Sequence, residues 1–258
     1  MNDQPLILVT NDDGITSKGI RSLVEVAKKF GRVCVVAPDK PQSGMGHAVS
    51  IHGILRVVPQ PIFGEGIEAY ATSGTPVDCV KLGIAQILKR KPDLVLSGVN
   101  HGSNSATNIL YSGTMSAAVE GAMEGVPSIG FSLLDYAADA DFDATMVYAE
   151  KLVRQVLNDP QLPENFCLNV NIPKGRPEDI KGIRFCRQAA AFWDDWFDHR
   201  QDPTGKDYFW LTGEFKNHDK GTDTDEYALE NGYISAVPVQ YDLTAYHNLK
   251  HLSQWELQ

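Results

Sequence analysis

Several short stretches of this chain carry oxygen-rich side chains in patterns that suit chemistry. Asn11-Asp12-Asp13-Gly14 sets two adjacent carboxylates directly after an apolar run, Leu6 to Thr10. Neighbouring carboxylates repel unless they are solvated or share a cation. Gln42-Ser43-Gly44 offers a hydroxyl, and Gly98-Val99-Asn100-His101-Gly102-Ser103-Asn104 offers neutral amide oxygens at Asn100 and Asn104. Asp12, Asp13, Ser43 and Asn100 thus form an all-oxygen set, part charged and part neutral. Such a set suits one hard divalent cation, Mg²⁺ or Mn²⁺, which keeps several waters and takes phosphate oxygens. Tyr111-Ser112-Gly113-Thr114 opens an apolar helix, and its hydroxyls and N–H groups sit at the positive end of the helix dipole, a phosphate-type site. Gly74-Thr75-Pro76 is a second helix start of this kind, equally well read as a plain cap with Pro at the first helical position. Plainer readings stay open for the others too: an exposed acidic turn at Asp12-Asp13-Gly14, and a long surface turn from Pro38 to His47.

These residues need elements to bring them together. Leu6 to Thr10 is apolar at nearly every position, the pattern of a strand buried on both faces. Ile20, Leu23, Val24 and Ala27 follow at helical spacing. Val33 to Ala37, Leu94 to Ser97, Ser128 to Phe131 and Cys167 to Asn171 read as further buried strands. Helical stripes lie between them: Val77, Val80, Ile84, Ile87 and Leu88; then Met115, Ala118, Val119, Ala122 and Met123; then Ala144 to Leu157. Ile54 to Val58 and Ala69 to Thr72 read as an edge pair. Strand and helix alternate, which predicts an α/β fold with a mostly parallel, doubly wound, Rossmann-like sheet. Ligands of such sheets bind at the carboxyl ends of the strands, where the loops above all emerge.

From Ile183 the alternation stops. Phe192 to Phe197, Phe209 to Leu211 and Tyr233 to Val237 read as strands of a β-rich excursion, with Asp202-Pro203-Thr204-Gly205 as a turn. The aromatic residues are expected to pack in a core, with a share at a subunit interface. Asp219 to Asp225 reads as a solvated charged loop, and Leu243 to Trp255 as a short helix. The chain is expected to form a single α/β domain over 1–258, with a protruding segment at 188–232.

The 258 residues carry 23 basic and 33 acidic side chains, a net charge of -10. That balance excludes broad binding of polymeric nucleic acid, which needs a basic surface. Cys34, Cys79, Cys167 and Cys186 are scattered with no CxxC, so buried reduced thiols in a cytoplasmic protein are expected. Met1-Asn2-Asp3-Gln4-Pro5 has no basic leader, and no apolar run reaches membrane length, so no membrane partner is expected. No histidine has a spacing that favours zinc, and the roles of His47 and His101 are open.

Asn11-Asp12-Asp13-Gly14, Pro38-Asp39 with Gln42-Ser43-Gly44, Gly74-Thr75-Pro76, Ser97 through Asn104 and Tyr111-Ser112-Gly113-Thr114, in this order, resemble the SurE family of survival protein E. The likeness runs to about Phe131 and resumes at Thr222-Asp223 and from Pro238 to Tyr246. That resemblance implies a metal-dependent 5'(3')-nucleotidase acting on nucleoside monophosphates. It places Asp12, Asp13, Ser43 and Asn100 on the family's metal-ligand positions. In metal-assisted hydrolysis Asp12 or Asp13 would orient the attacking water, so these two are the catalytic candidates. It places Asn104, Ser112, Gly113 and Thr114 around the phosphate. It implies that the 188–232 segment serves assembly into a homodimer or homotetramer. One departure stands out: the family often has a second glycine after the Asn104 position, where this chain has Ala106, so a different loop path is expected there. Two other functions compete. A non-catalytic nucleotide-binding module needs the helix-start anion site but no cation. A nucleoside N-ribohydrolase uses an aspartate-rich turn but releases base, and this chain lacks the further upstream Asp.

Overall fold

The computed structural model describes residues 4–255; the leaderless start expected at Met1 to Asp3 lies outside them. The first strand, β1 (Leu6–Thr10), is buried along its whole length. Its side chains alternate between two cores, Ile7 and Val9 on one face and Leu8 on the other. This is why an unbroken apolar run was needed. Each such side chain stabilises the fold by about 1.5–3 kcal/mol when buried.

Helix α1 (Lys18–Ala27) starts at Ser17, whose side chain accepts from the Ile20 N–H. It packs Ile20, Leu23 and Val24 onto the first face and returns the chain to β2 (Arg32–Pro38), parallel to β1. The edge pair forms as β3 (Val57–Pro59) antiparallel to β4 (Glu68–Thr72), while Ile54 to Arg56 lie outside the strand. Helix α2 (Pro76–Leu82) starts with a reciprocal cap between Thr75 and Asp78 and continues as a wider π turn over Gly83–Leu88. It covers the second face with Cys79, Val80 and Ile84. Strand β5 (Leu94–His101) follows, then a 3₁₀ turn at Ala106–Tyr111, helix α3 (Gly113–Met123), β6 (Ser128–Leu133), α4 (Asp143–Asn158) and β7 (Cys167–Ile172).

With β8 (Ile183–Phe185) and β11 (Ile234–Pro238) the sheet runs β3-β4-β2-β1-β5-β6-β7-β11-β8. Strands β4, β2, β1, β5, β6 and β7 are mutually parallel. Taken alone in chain order they read 3-2-1-4-5-6, so the expected doubly wound, Rossmann-like sheet is present. The chain runs outward from β1 to one side and returns beside β1 as β5. The switch point, where the crevice opens, therefore lies between those two strands.

Some expectations need correction. The Gly98 to His101 stretch is not a free loop: β5 continues to His101, with a register shift against β6 between Ser97 and Asn100. Gly98 makes that shift at φ 125°, with its Cα so close to the Phe131 carbonyl that a Cβ would stand 2.4 Å from it. Tyr233 to Val237 does not belong to the excursion. Its strand β11 joins the main sheet antiparallel to β7. The excursion is instead one hairpin, β9 (Ala191–Gln201) with β10 (Asp207–Asn217), standing apart from the main sheet. Its aromatic side chains are not core: Phe197, Phe209 and Trp210 are each about 60% exposed or more. Helix α5 (Asp225–Glu230) opens on a buried Asp225, so the charged loop before it does not end in solvent. The closing helix α6 (Tyr246–Leu252) lies within the expected span. Among the described residues no helix is long and apolar enough to cross a membrane.

Candidate functional site

Thr10 of β1 pairs with Ser97 of β5, so the Asp12-Asp13 turn leaves the sheet beside Asn100, near the end of β5, at the switch point. The buried Asn11 fastens the turn, donating to the Gly14 carbonyl at 3.0 Å and to Ser17 Oγ at 2.9 Å. The loop after β2 is tied to it: the Gln42 N–H donates to the Asp12 carbonyl at 2.8 Å, and the Gly46 N–H donates to the Tyr111 carbonyl at 3.1 Å. Ser43 sits between these two anchors. Further along, the His47 ring donates to Glu120 of α3 at 2.8 Å, and Lys81 of α2 binds the same buried carboxylate.

Asp12, Asp13, Ser43, Asn100, Asn104 and Ser112 all line one cavity of about 290 Å³. Gly113 and Thr114 are not on its wall; they stand behind Asp12. The Thr114 hydroxyl donates to Asp12 Oδ1, and a Cβ on Gly113 would come within 2.7 Å of Asp12 Cβ. Ser112 caps α3, its hydroxyl accepting from the Met115 N–H at 3.0 Å. The helix start thus holds the Asp12 carboxylate. A larger groove of about 630 Å³, between α3 and residues 237–243, contains none of the predicted residues.

Burial pushes the Asp12 carboxyl up to about 6; the Thr114 hydrogen bond opposes this and the neighbouring Asp13 charge adds to it. Asp13 is likewise raised by burial, with His101 working against the rise. Asp13 Oδ2 is buried without a hydrogen-bond partner among the described residues. Asn100 directs its amide nitrogen to the carbonyls of His101 at 3.2 Å and Gly102 at 2.9 Å, which leaves its oxygen for the cavity. A buried, unpartnered carboxylate oxygen is costly unless something positive meets it. The residues therefore fit a hard cation. Among the described residues no three His, Cys, Asp or Glu side chains converge elsewhere or here, so the fit rests on two carboxylates plus neutral oxygens.

Asn104 is fixed by groups that the sequence reading did not single out. Its N–H donates to Asn171 Oδ1 at 2.8 Å, its amide nitrogen to Ser132 Oγ at 2.8 Å, and its carbonyl accepts from Asn169 at 2.8 Å. The Asn171 amide closes the network on Asn169 Oδ1 at 3.0 Å. The available signal was two Asn at alternate positions of an otherwise apolar strand, Cys167-Leu168-Asn169-Val170-Asn171-Ile172. Asp225 closes a charge run whose composition predicts a solvated loop, yet it accepts from the Ala106 N–H at 2.8 Å and the Ala189 N–H at 2.9 Å. It holds Ala106 at φ 49°, a left-handed conformation that costs a non-glycine residue about 1–2 kcal/mol. The backbone here takes the conformation that glycine favours, with alanine in place. Asn108, Tyr111, Tyr136 and Trp193 complete the cavity mouth, and Trp193 arrives from the hairpin.

Fold and cavity together define a doubly wound α/β protein whose switch point carries an acidic, oxygen-lined site. A family model described as Survival protein SurE matches residues 7–195. The chain belongs to the SurE family. A 5'-nucleotidase SurE of Flavobacterium psychrophilum is 59% identical over 254 residues, covering 98% of each chain. Another of that name from Christiangramia forsetii is 58% identical over 256 residues, again 98% of each. The crystal structure of Sure protein from Aquifex aeolicus matches with a TM-score of 0.83 at 40% identity, covering 96% of this chain and 98% of that one.

Proposed function

We propose that this chain is a divalent-cation-dependent phosphomonoesterase that hydrolyses nucleoside 5'-monophosphates to nucleoside and phosphate, with 3'-monophosphates as a second substrate class. The observation that carries it is the buried Asp12 and half-buried Asp13 facing one cavity with Ser43 and Asn100, Asp13 Oδ2 having no hydrogen-bond partner among the described residues. The 5'-nucleotidase name of relatives at 58–59% identity supports the same reading.

Asp12, Asp13, Ser43 and Asn100 would hold the cation, Mg²⁺ or Mn²⁺. When bound, it supplies charge neutralisation of the phosphate and a lowered pKa for a coordinated water. Asn104 and Ser112 line the same wall and bind the phosphate oxygens. Gly113 and Thr114 act one step back, fixing the Asp12 carboxylate. Asp13 is the more open of the two carboxylates and orients the attacking water. Burial of both raises the strength of every charge interaction in the site.

The exposed aromatic hairpin supports assembly into a homodimer or homotetramer through the 188–232 segment, with the rest of 1–258 as one domain. The buried free thiols of Cys34, Cys79, Cys167 and Cys186 support a cytoplasmic setting.

The test is phosphate release from a panel of nucleoside monophosphates with Mn²⁺, with Mg²⁺ and after EDTA. Release that EDTA abolishes is the expected result. Nucleotide binding that EDTA leaves unchanged, with no release under any cation, would overturn it for a non-catalytic binding module. Release of free base would point to an N-ribohydrolase.

A further inference from the structure

The cavity that holds the acidic pair does not end at its aromatic mouth. Tyr111 and Trp193 also line a second cavity of about 410 Å³, between the 3₁₀ turn and the hairpin. Trp193 faces Phe215 and Asp195 faces Gly213 across the β9–β10 ladder, so these four share one face of the hairpin. Trp193 is held in place on two sides. Its indole N–H donates to Asn108 Oδ1 at 2.8 Å, and its ring meets Phe215 edge-on at 5.8 Å. Asn108 itself lies on the wall of the acidic cavity, so the bond spans the junction of the two spaces.

Gly213 is a glycine in mid-strand. A Cβ there would come within 2.8 Å of Asp195 Oδ1. The missing side chain makes room for the Asp195 carboxylate at the cavity wall, as strand glycines do where another group approaches closely. Thr107, Asp195 and Thr212 add polar groups to a lining otherwise made of aromatic side chains, Leu211 and Gly213. A fixed aromatic plane with a carboxylate acceptor at its edge is the complement of a flat heterocycle that carries N–H or amino donors.

We propose that this second cavity is the nucleobase subsite: Trp193 is the stacking platform, and the base is reached past Tyr111 from a phosphate held beside Asp12 and Asp13. This rests on the nucleotidase reading, since it is the phosphate end that fixes where the base must lie. Stacking on aromatic side chains tolerates every base, which fits a site with few directional polar groups.

The test compares wild type, Trp193→Ala and Trp193→Phe on AMP and on ribose 5-phosphate, which has the phosphate and sugar but no base. Trp193→Ala should lower kcat/KM for AMP by roughly five- to a hundredfold, mainly through KM. Ribose 5-phosphate should stay within twofold, and Trp193→Phe should keep most of the AMP preference. An equal fall on both substrates, or no fall on AMP, overturns the subsite. Sedimentation velocity is run on the same proteins; a change in mass that accompanies the AMP loss would make Trp193 a subunit contact and also overturn it. If wild type releases phosphate from neither compound, the nucleotidase reading fails separately. AMP binding by calorimetry then decides the subsite: binding that Trp193→Ala weakens supports it, and binding unchanged by Trp193→Ala or absent from wild type ends it.

Discussion

Thr114 donates its hydroxyl to Asp12 across 102 positions of chain, and Gly113 beside it is what lets Asp12 lie that close. The first strand's turn and the start of α3 are thereby one unit. Gly113→Ala would drive a methyl into Asp12 Cβ at 2.7 Å, so one of them must move. Overpacking of this kind costs about 1–3 kcal/mol. A shift of about 1 Å at a catalytic group can cost on the order of a hundredfold in rate. The expected outcome is a folded protein with a modestly lower Tm and phosphate release reduced by about that factor. Thr114→Ser keeps the donor and should retain most activity, whereas Thr114→Val should not. Equal activity of Ser and Val variants would show that the hydrogen bond is irrelevant.

Asp13 Oδ2 has no hydrogen-bond partner among the described residues, so its charge is a liability without a cation. Asp13→Asn should therefore leave the metal-free protein as stable as wild type, or more so. Wild type should gain about 5–10 °C in Tm with Mn²⁺ at a hundred times its Kd. The variant should show almost none of that gain. Thermal denaturation of both proteins, with Mn²⁺ and with EDTA, reads the two effects separately; a full Mn²⁺ gain in Asp13→Asn would remove Asp13 from the cation set.

How far the site was legible follows from where each residue gets its neighbours. Asp12, Asp13 and Asn100 could be read because each ends an apolar strand, and local pattern alone sends such residues to the carboxyl edge of a parallel sheet. Asn169 and Asn171 could not. Their partner Asn104 lies 65 and 67 positions away, and only the β5–β6 and β6–β7 pairings together bring them to it. Asp225 sat in a charge run that local composition sends to solvent, whereas two backbone N–H groups from distant segments had claimed it. The mostly parallel, doubly wound sheet followed from alternation, but the antiparallel insertion of β11 beside β7 is a non-local pairing with no signature in its own sequence. Trp193 was visible as an aromatic residue, and its position at the cavity mouth depends on how the hairpin docks.

Glu120 offers a pH-dependent test. Burial pushes its carboxyl upward, but hydrogen bonds from His47 and Lys81 more than offset this, so it stays below its ordinary value of 4.5. A carboxyl whose folded value is depressed stabilises the protein fully above its unfolded value, and the contribution disappears as pH falls through the folded one. Glu120→Gln should thus cost about 1–3 kcal/mol at pH 7, the penalty for weakening charged hydrogen bonds to a buried group. The gap to wild type should narrow once the pH drops below 4.5. Urea denaturation across pH 3 to 7 checks this; a gap that stays constant with pH would mean that the charge of Glu120 contributes nothing. Because His47 closes the loop that carries Ser43, the variant should also bind Mn²⁺ more weakly.

The hairpin gives the last prediction. Phe209 and Trp210 stand on opposite faces of β10, each about 60% exposed, and neither lines the acidic cavity or the one beside the hairpin. Exposed aromatic side chains in such density mark a contact surface more often than a solvated one. If the hairpin joins subunits, replacing both with Ser removes buried apolar area mainly from the assembly, and from the isolated chain only the hairpin's own packing, such as Phe209 on His199. The monomer's thermal stability should stay within about 1 kcal/mol of wild type, as surface substitutions do. The sedimentation coefficient at micromolar concentration should fall to that of a smaller assembly. AMP hydrolysis should fall only if neighbouring hairpins brace one another, because Trp193 and Asn108 lie at the base of the arm. An unchanged sedimentation coefficient would remove the arm from subunit assembly and leave the nucleobase as the occupant of its inner face.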